Sequence, residues 1–228
     1  MLLFGPMMWL ILLVFAATLL IQFWLQNVYA RYSRVANSQG LTGAEVARAI
    51  LDAHGLHNVR VEMMPGTLTD HYDPIKKVVR LSQTNYASSS VAALAVAAHE
   101  VGHALQDAQR YHWLVVRHQL LPAANIGSNL GPWLFIIGLF IGALGLAKLG
   151  LYLFAAAALF QLVTLPVEFD ASRRALEILK RMNFLSPREM GGARTVLTAA
   201  ALTYVAALAM SIAYLLQYAS ILSTAREE

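Results

Sequence analysis

Four long apolar stretches leave this chain little choice of architecture. Met7 to Gln26, Leu130 to Ala147, Leu149 to Val167 and Val196 to Ile221 each approach or exceed the roughly 18–20 residues that cross a bilayer core. Backbone amides find no water in hydrocarbon, so each stretch must satisfy its own hydrogen bonds, which a helix does within one segment. Composition agrees, because 58% of the 228 residues are hydrophobic, 13% are charged and mean hydropathy is +0.54. Soluble domains have about 45–50% apolar and about 25% charged residues. The expected fold is a mainly α membrane protein with four transmembrane helices, the fourth carrying Thr198, Thr203, Tyr204, Ser211 and Gln217. The first stretch has no Lys or Arg before it and outruns the 7–15 residues of a signal-peptide core, so it is read as a retained anchor.

Basic residues set the expected orientation. Arg31, Arg34, Arg48, Arg60, Lys76, Lys77, Arg80, Arg110 and Arg117 lie between the first and second stretches. Arg173, Arg174, Lys180, Arg181, Arg188 and Arg194 lie between the third and fourth, whereas Lys148 and Arg226 fall on the other side. The positive-inside rule then puts both basic regions in the cytoplasm and both termini outside. A net charge of +4 and a pI near 9.5 fit attraction to anionic lipid head groups better than nucleic acid, since the charges flank apolar spans. There is no cysteine, which excludes a disulfide framework, a zinc ribbon or a cysteine nucleophile.

The one sizeable polar region, Arg31 to Leu121, carries the chemistry, with a second soluble part expected over 168–195 of a single domain running 1–228. Thr42-Gly43-Ala44-Glu45 is a capping-box pattern opening a helix through Ala53, with Gly55 as its stop. Val59 to Met63 and Lys77 to Ser82 read as two short strands joined as a hairpin, with Pro65-Gly66 and Asp73-Pro74 marking turns between them. An Ala/Val-rich run from Ser89 to Gln109 then reads as one helix containing His99-Glu100-Val101-Gly102-His103. Positions i and i+4 of a helix lie about 40° apart around its axis, so His99 and His103 point the same way and can share one tetrahedral zinc. Glu100 lies one step round, beside the open coordination position, where it can take a proton from water. Ala98 and Gly102 leave room for a metal and for close packing of another element.

A catalytic zinc needs a third protein ligand. Ala104 to Gln109 contains no histidine, so that ligand comes from elsewhere in the chain. Glu168 is the leading candidate, because it follows Leu165-Pro166-Val167 at the inner end of the third stretch, where an ionisable group is costly. Pro166 is expected to bend or end the span, so that Glu168 begins a new helix through Arg181. Asp170 is the rival. On a helix it faces about 160° from Glu168 and would support the site only if the helix start is irregular.

Three separated motifs, His99 to Gln106 (HEVGHALQ), Pro166 to Leu176 (PVEFDASRRAL) and Asp70 to Ser82 (DHYDPIKKVVRLS), together resemble the YugP-type family of bacterial membrane zinc metallopeptidases. The similarity runs over nearly the whole chain and includes the order of the spans. It implies a gluzincin-like site in a small cytoplasmic α+β unit, with His99, His103 and Glu168 on one zinc ion per chain. It also implies a multi-pass protein of the bacterial inner membrane that cleaves peptide bonds. More distant similarity to membrane proteases with an E-x-x-x-D motif assigns Glu168 the ligand role, but the position four after it is Ser172 where those proteins have Asp, so their orienting carboxylate is missing here.

Other polar residues carry lesser expectations. His71, Tyr72, Arg173 or Arg174 could donate to the oxyanion that develops during hydrolysis. His54, His57, His112 and His118 have no ligand spacing. An edge strand beside the zinc helix could accept an extended peptide. Gly138 and Gly142 form a G-x-x-x-G suited to tight helix packing, within one chain or between copies. The expected function is a membrane zinc endopeptidase acting at the cytoplasmic face on membrane or membrane-adjacent proteins, with no nucleic-acid partner. The alternatives are an intramembrane protease, a zinc-holding scaffold without activity, and a transporter. Only about eight apolar residues precede His99 in its helix, against the first; a structural site has no use for Glu100, against the second; the middle spans carry almost no ionisable residue, against the third.

Overall fold

The computed structural model describes residues 7–225, so Arg226 and both chain ends lie outside the described residues. Its elements in chain order are α1 (Met8–Tyr32), α2 (Gly43–Ala53), β1 (Arg60–Met64), β2 (His71–Asp73), β3 (Val78–Ser82), α3 (Gln83–Tyr86), α4 (Val91–Ala108), α5 (His112–Phe140), α6 (Leu144–Arg181) and α7 (Pro187–Thr224). The chain forms two compact units. One takes in residues up to Gln22, Val115–Pro166 and those from Thr203 on; the other takes in Phe23–Leu114 and Val167–Leu202.

The first unit is all helix. α1, α5, α6 and α7 are each long and apolar enough to cross a membrane, and Trp9, Leu20, Trp133, Phe140 and Tyr152 stand largely exposed on their outer faces. Such surface suits hydrocarbon. The boundaries differ from the expected ones. The second and third spans part at 141–143, where Gly142 adopts φ +71°, and Lys148 lies inside α6. Lysine's long apolar stem lets it lie in such a helix, whereas a left-handed backbone ends one. Gly142 is therefore a turn and not part of a packing motif. Gly138 does serve close packing, since a Cβ there would collide with the Ala147 amide nitrogen; Gly131 and Gly150 also meet, a Cβ on Gly150 lying 2.6 Å from the Gly131 carbonyl oxygen. α5 also begins at His112, before the expected end of the polar region, and retains Pro122 and Pro132 inside it. Pro166 likewise sits within an unbroken α6. Residues 168–195 are thus mostly helix, with only 182–186 between α6 and α7.

The second unit is α+β. Thr42 caps α2 reciprocally with Glu45, its hydroxyl accepting from the Glu45 amide at 3.3 Å while its own amide donates to Glu45 at 2.8 Å. Val46, Ala47, Ile50 and Leu51 are fully buried, and α2 packs on α4. The two expected strands are present within one residue at their starts, but they are not a hairpin. β1 and β3 pair in parallel, and β2, formed inside the linker, pairs antiparallel with β3, giving the order β1-β3-β2. The linker 65–77 far exceeds a hairpin loop and matches the dozen or so residues that a parallel crossover needs. Val78, Val79 and Leu81 of the central strand are fully buried, and β2 and β3 both touch α4. Ser90 caps α4 by accepting from the Ala93 amide at 3.2 Å.

Candidate metal centre

α4 brings His99 and His103 onto one face, and α6 sets Glu168 against them. The Glu168 Oε2 lies 3.3 Å from His99 Nε2 and 3.5 Å from His103 Nε2. One ligand atom from each of the three residues falls within 4.8 Å of the others, and the Glu168 side chain is only 2% exposed. Gly102 makes this approach possible, because its missing Cβ would lie 2.8 Å from the Ala171 carbonyl oxygen of α6. Glu168 stands inside α6 and not at a helix start, so favour from a helix dipole does not explain it.

The outer ring nitrogens are held. His99 Nδ1 lies 3.1 Å from Ser172 Oγ, and His103 Nδ1 lies 3.0 Å from Gln106 Oε1. Gln106 donates through its amide nitrogen to the Val167 carbonyl and to Asp170 Oδ2, each at 2.9 Å. Both of those partners only accept, so the amide oxygen must face His103 and His103 Nδ1 must carry the proton. Its Nε2 lone pair then points at the Glu168 carboxylate, an arrangement that is repulsive without a proton or cation between them. Burial alone would favour neutral His103, but Glu168, together with Glu100 and Gln106, outweighs it and pushes the pKa of the imidazole up. The donor set therefore fits a divalent cation. Two imidazole nitrogens and one carboxylate oxygen are a known catalytic zinc set, which leaves a fourth position open.

Glu100 is buried beside these groups, and burial pushes its carboxyl above the usual carboxylate range although His99 and His103 oppose the shift. A family model described as "Putative neutral zinc metallopeptidase" matches residues 7–223. The chain belongs to this family. It is also 50% identical over 207 residues to a protein named "Putative membrane protease YugP" from Bacillus subtilis (strain 168), covering 91% of this chain and 92% of the relative. No solved structure matches it. Membership implies zinc, and the three converging side chains offer a place for it.

The remaining candidates are engaged elsewhere. Tyr72 donates to Asp107 at 2.6 Å, and Asp107 also holds Lys77 at 2.5 Å. His71 Nδ1 donates to the Thr69 carbonyl at 2.9 Å. Arg173 pairs with Asp170 and, at 2.9 Å, with Glu177; Arg174 binds Asp170 at 2.5 Å and Gln109 at 2.6 Å. Asp170 is not among the converging ligand atoms. It reaches the site through Gln106, from a regular helix, so no irregular start is needed. Sequence reasoning missed Gln106 and the placement of Ser172. Their spacing was a signal, since Gln106 is three residues past His103 and Ser172 four past Glu168, the two separations that share a helix face.

Proposed function

We propose that this protein is a zinc endopeptidase of the bacterial cytoplasmic membrane, with His99, His103 and Glu168 as metal ligands and Glu100 as general base and acid. The observation that carries the reading is the convergence of His99 Nε2, His103 Nε2 and Glu168 Oε2 beside a buried Glu100. Zinc, when bound, supplies a Lewis acid that polarises the scissile carbonyl and lowers the pKa of water. Glu100 takes a proton from the attacking water as its oxygen bonds to the carbonyl carbon, and returns a proton to the leaving amine as the C–N bond breaks. Burial pushes the Glu100 carboxyl above the usual carboxylate range, the direction that suits a group that must both accept and give a proton. The two outer nitrogen contacts keep both imidazoles turned toward the ligand position.

The site faces the cytoplasm in this reading, because Arg48, Arg60, Lys76, Lys77, Arg80 and Arg110 lie in the same stretch between spans as its two histidines. Membrane or membrane-adjacent proteins are the substrate class that its location favours, and the similar protein named "Putative membrane protease YugP" is consistent with a protease at a membrane. Substituting Glu100→Gln tests the mechanism. Zinc content of the purified protein stays at one per chain while hydrolysis of a casein-type substrate falls by about 10²–10⁴-fold. Retained hydrolysis removes Glu100 from the mechanism, and no zinc in wild-type protein refilled with metal removes the peptidase reading.

A further inference from the structure

We infer that Gln106 is a positioning residue that fixes the proton of His103 and ties the helix of the two histidines to the helix of Glu168. This rests on the zinc-site reading above. Gln106 is fully buried, yet all of its hydrogen-bonding groups face named partners: its oxygen meets His103 Nδ1, and its nitrogen serves the Val167 carbonyl and Asp170 Oδ2. Val167 and Asp170 flank Glu168 in sequence, so one side chain on α4 grips α6 on both sides of the third ligand. Asp170 is in turn held by Arg173 and Arg174, which anchors the far end of the chain of contacts.

The direction of these bonds gives the amide its role. A carboxylate at position 106 would still accept from His103 but would face Asp170 as a like charge. An aliphatic or thioether side chain would leave the His103 N–H without its acceptor and the imidazole free to turn, and would remove the donor that joins α4 to the Val167 carbonyl and to Asp170, whose oxygen keeps only Arg174. Of these side chains, only the amide accepts at one end and donates at the other. His99 is held differently, through the Ser172 hydroxyl, so neither imidazole leans directly on a carboxylate at Nδ1.

The test is Zn2+ affinity of the full-length protein in detergent, by competition with a chromophoric chelator, for wild type, Q106M, Q106E, D170N and Q106E/D170N. Methionine keeps the buried volume, and thermal unfolding reports whether each variant folds. Q106M and Q106E weaken zinc by about 10–100-fold, as loss of an outer partner does. Q106E/D170N recovers affinity to within a few-fold of D170N, because the amide introduced at position 170 now donates to the carboxylate introduced at position 106; a merely space-filling role would show no such rescue. Wild-type affinity in Q106M, with zinc lost in His103→Ala, overturns the inference and leaves the zinc site standing. Q106E unrescued by D170N overturns the bridge to α6. Absence of zinc binding in wild type defeats the site itself.

Discussion

Gly102→Ala probes the junction on which the candidate site depends. Gly102 lies between the two histidines in sequence, and a Cβ there would sit 2.8 Å from the Ala171 carbonyl oxygen and 3.2 Å from Ala171 Cα. The obstruction is backbone and cannot rotate away. Restoring a contact of 3.4 Å from 2.8 Å parts α4 from α6 by about 0.6 Å, whereas metal–ligand distances tolerate about ±0.2 Å. Two of the proposed ligands ride on α4 and one on α6, so the three cannot all keep their places. Overpacking of a tight interior costs about 1–3 kcal/mol, and at about 1.4 kcal/mol per tenfold zinc weakens by about 5–140-fold if the strain falls on the site. Zinc competition and the thermal midpoint of the purified protein measure this. Gly191→Ala is the control, since nothing lies within 4 Å of a Cβ there, and it leaves zinc affinity unchanged. A Gly102→Ala protein with wild-type zinc affinity and midpoint refutes the claimed contact between the helices.

Other outcomes follow from the same geometry. Glu168→Gln removes the one anion among the three ligand groups, and zinc weakens by more than the roughly 10–100-fold that an outer partner costs; an unchanged affinity moves the third ligand elsewhere. Thr42→Ala removes one half of the reciprocal cap on α2 and lowers stability by about 1 kcal/mol, read as a lower thermal midpoint with zinc content intact. The absence of cysteine makes single introduced thiols clean reporters of orientation. A membrane-impermeant maleimide labels Ala143→Cys from outside intact cells and Lys76→Cys only after the membrane is opened; the reverse pattern puts the site on the outer face.

Much of this was legible in the sequence because it is periodic. The 3.6-residue repeat of a helix brings His99 and His103 together whatever else the chain does, and the four apolar stretches and the Thr42–Glu45 cap need no tertiary information either. The span ends were not legible. Apolar composition does not register where a backbone turns, so Lys148 was read as a boundary while Gly142, at φ +71°, is the turn. The order of the sheet was hidden because β2 has three residues, too few for a pattern, and its contacts with β3 and α4 are tertiary.

Pro166 is the case in which a correct local rule gives the wrong result. Proline removes one backbone donor and normally ends a helix, but in apolar surroundings the alternatives leave more backbone groups without partners, and α6 continues through it. That continuity has a consequence for the site. Because the helix is unbroken from Val167 to Arg174, Glu168 and Ser172 lie one turn apart on the same face, so one surface supplies both a proposed ligand and the partner of His99. Asp170 is turned off that face and reaches His103 only through the length of Gln106. A helix that restarted after Pro166 would be free to choose another register. The continuous one ties the two outer contacts and the proposed third ligand to a single rigid element, so a substitution that shifts α6 disturbs all three together.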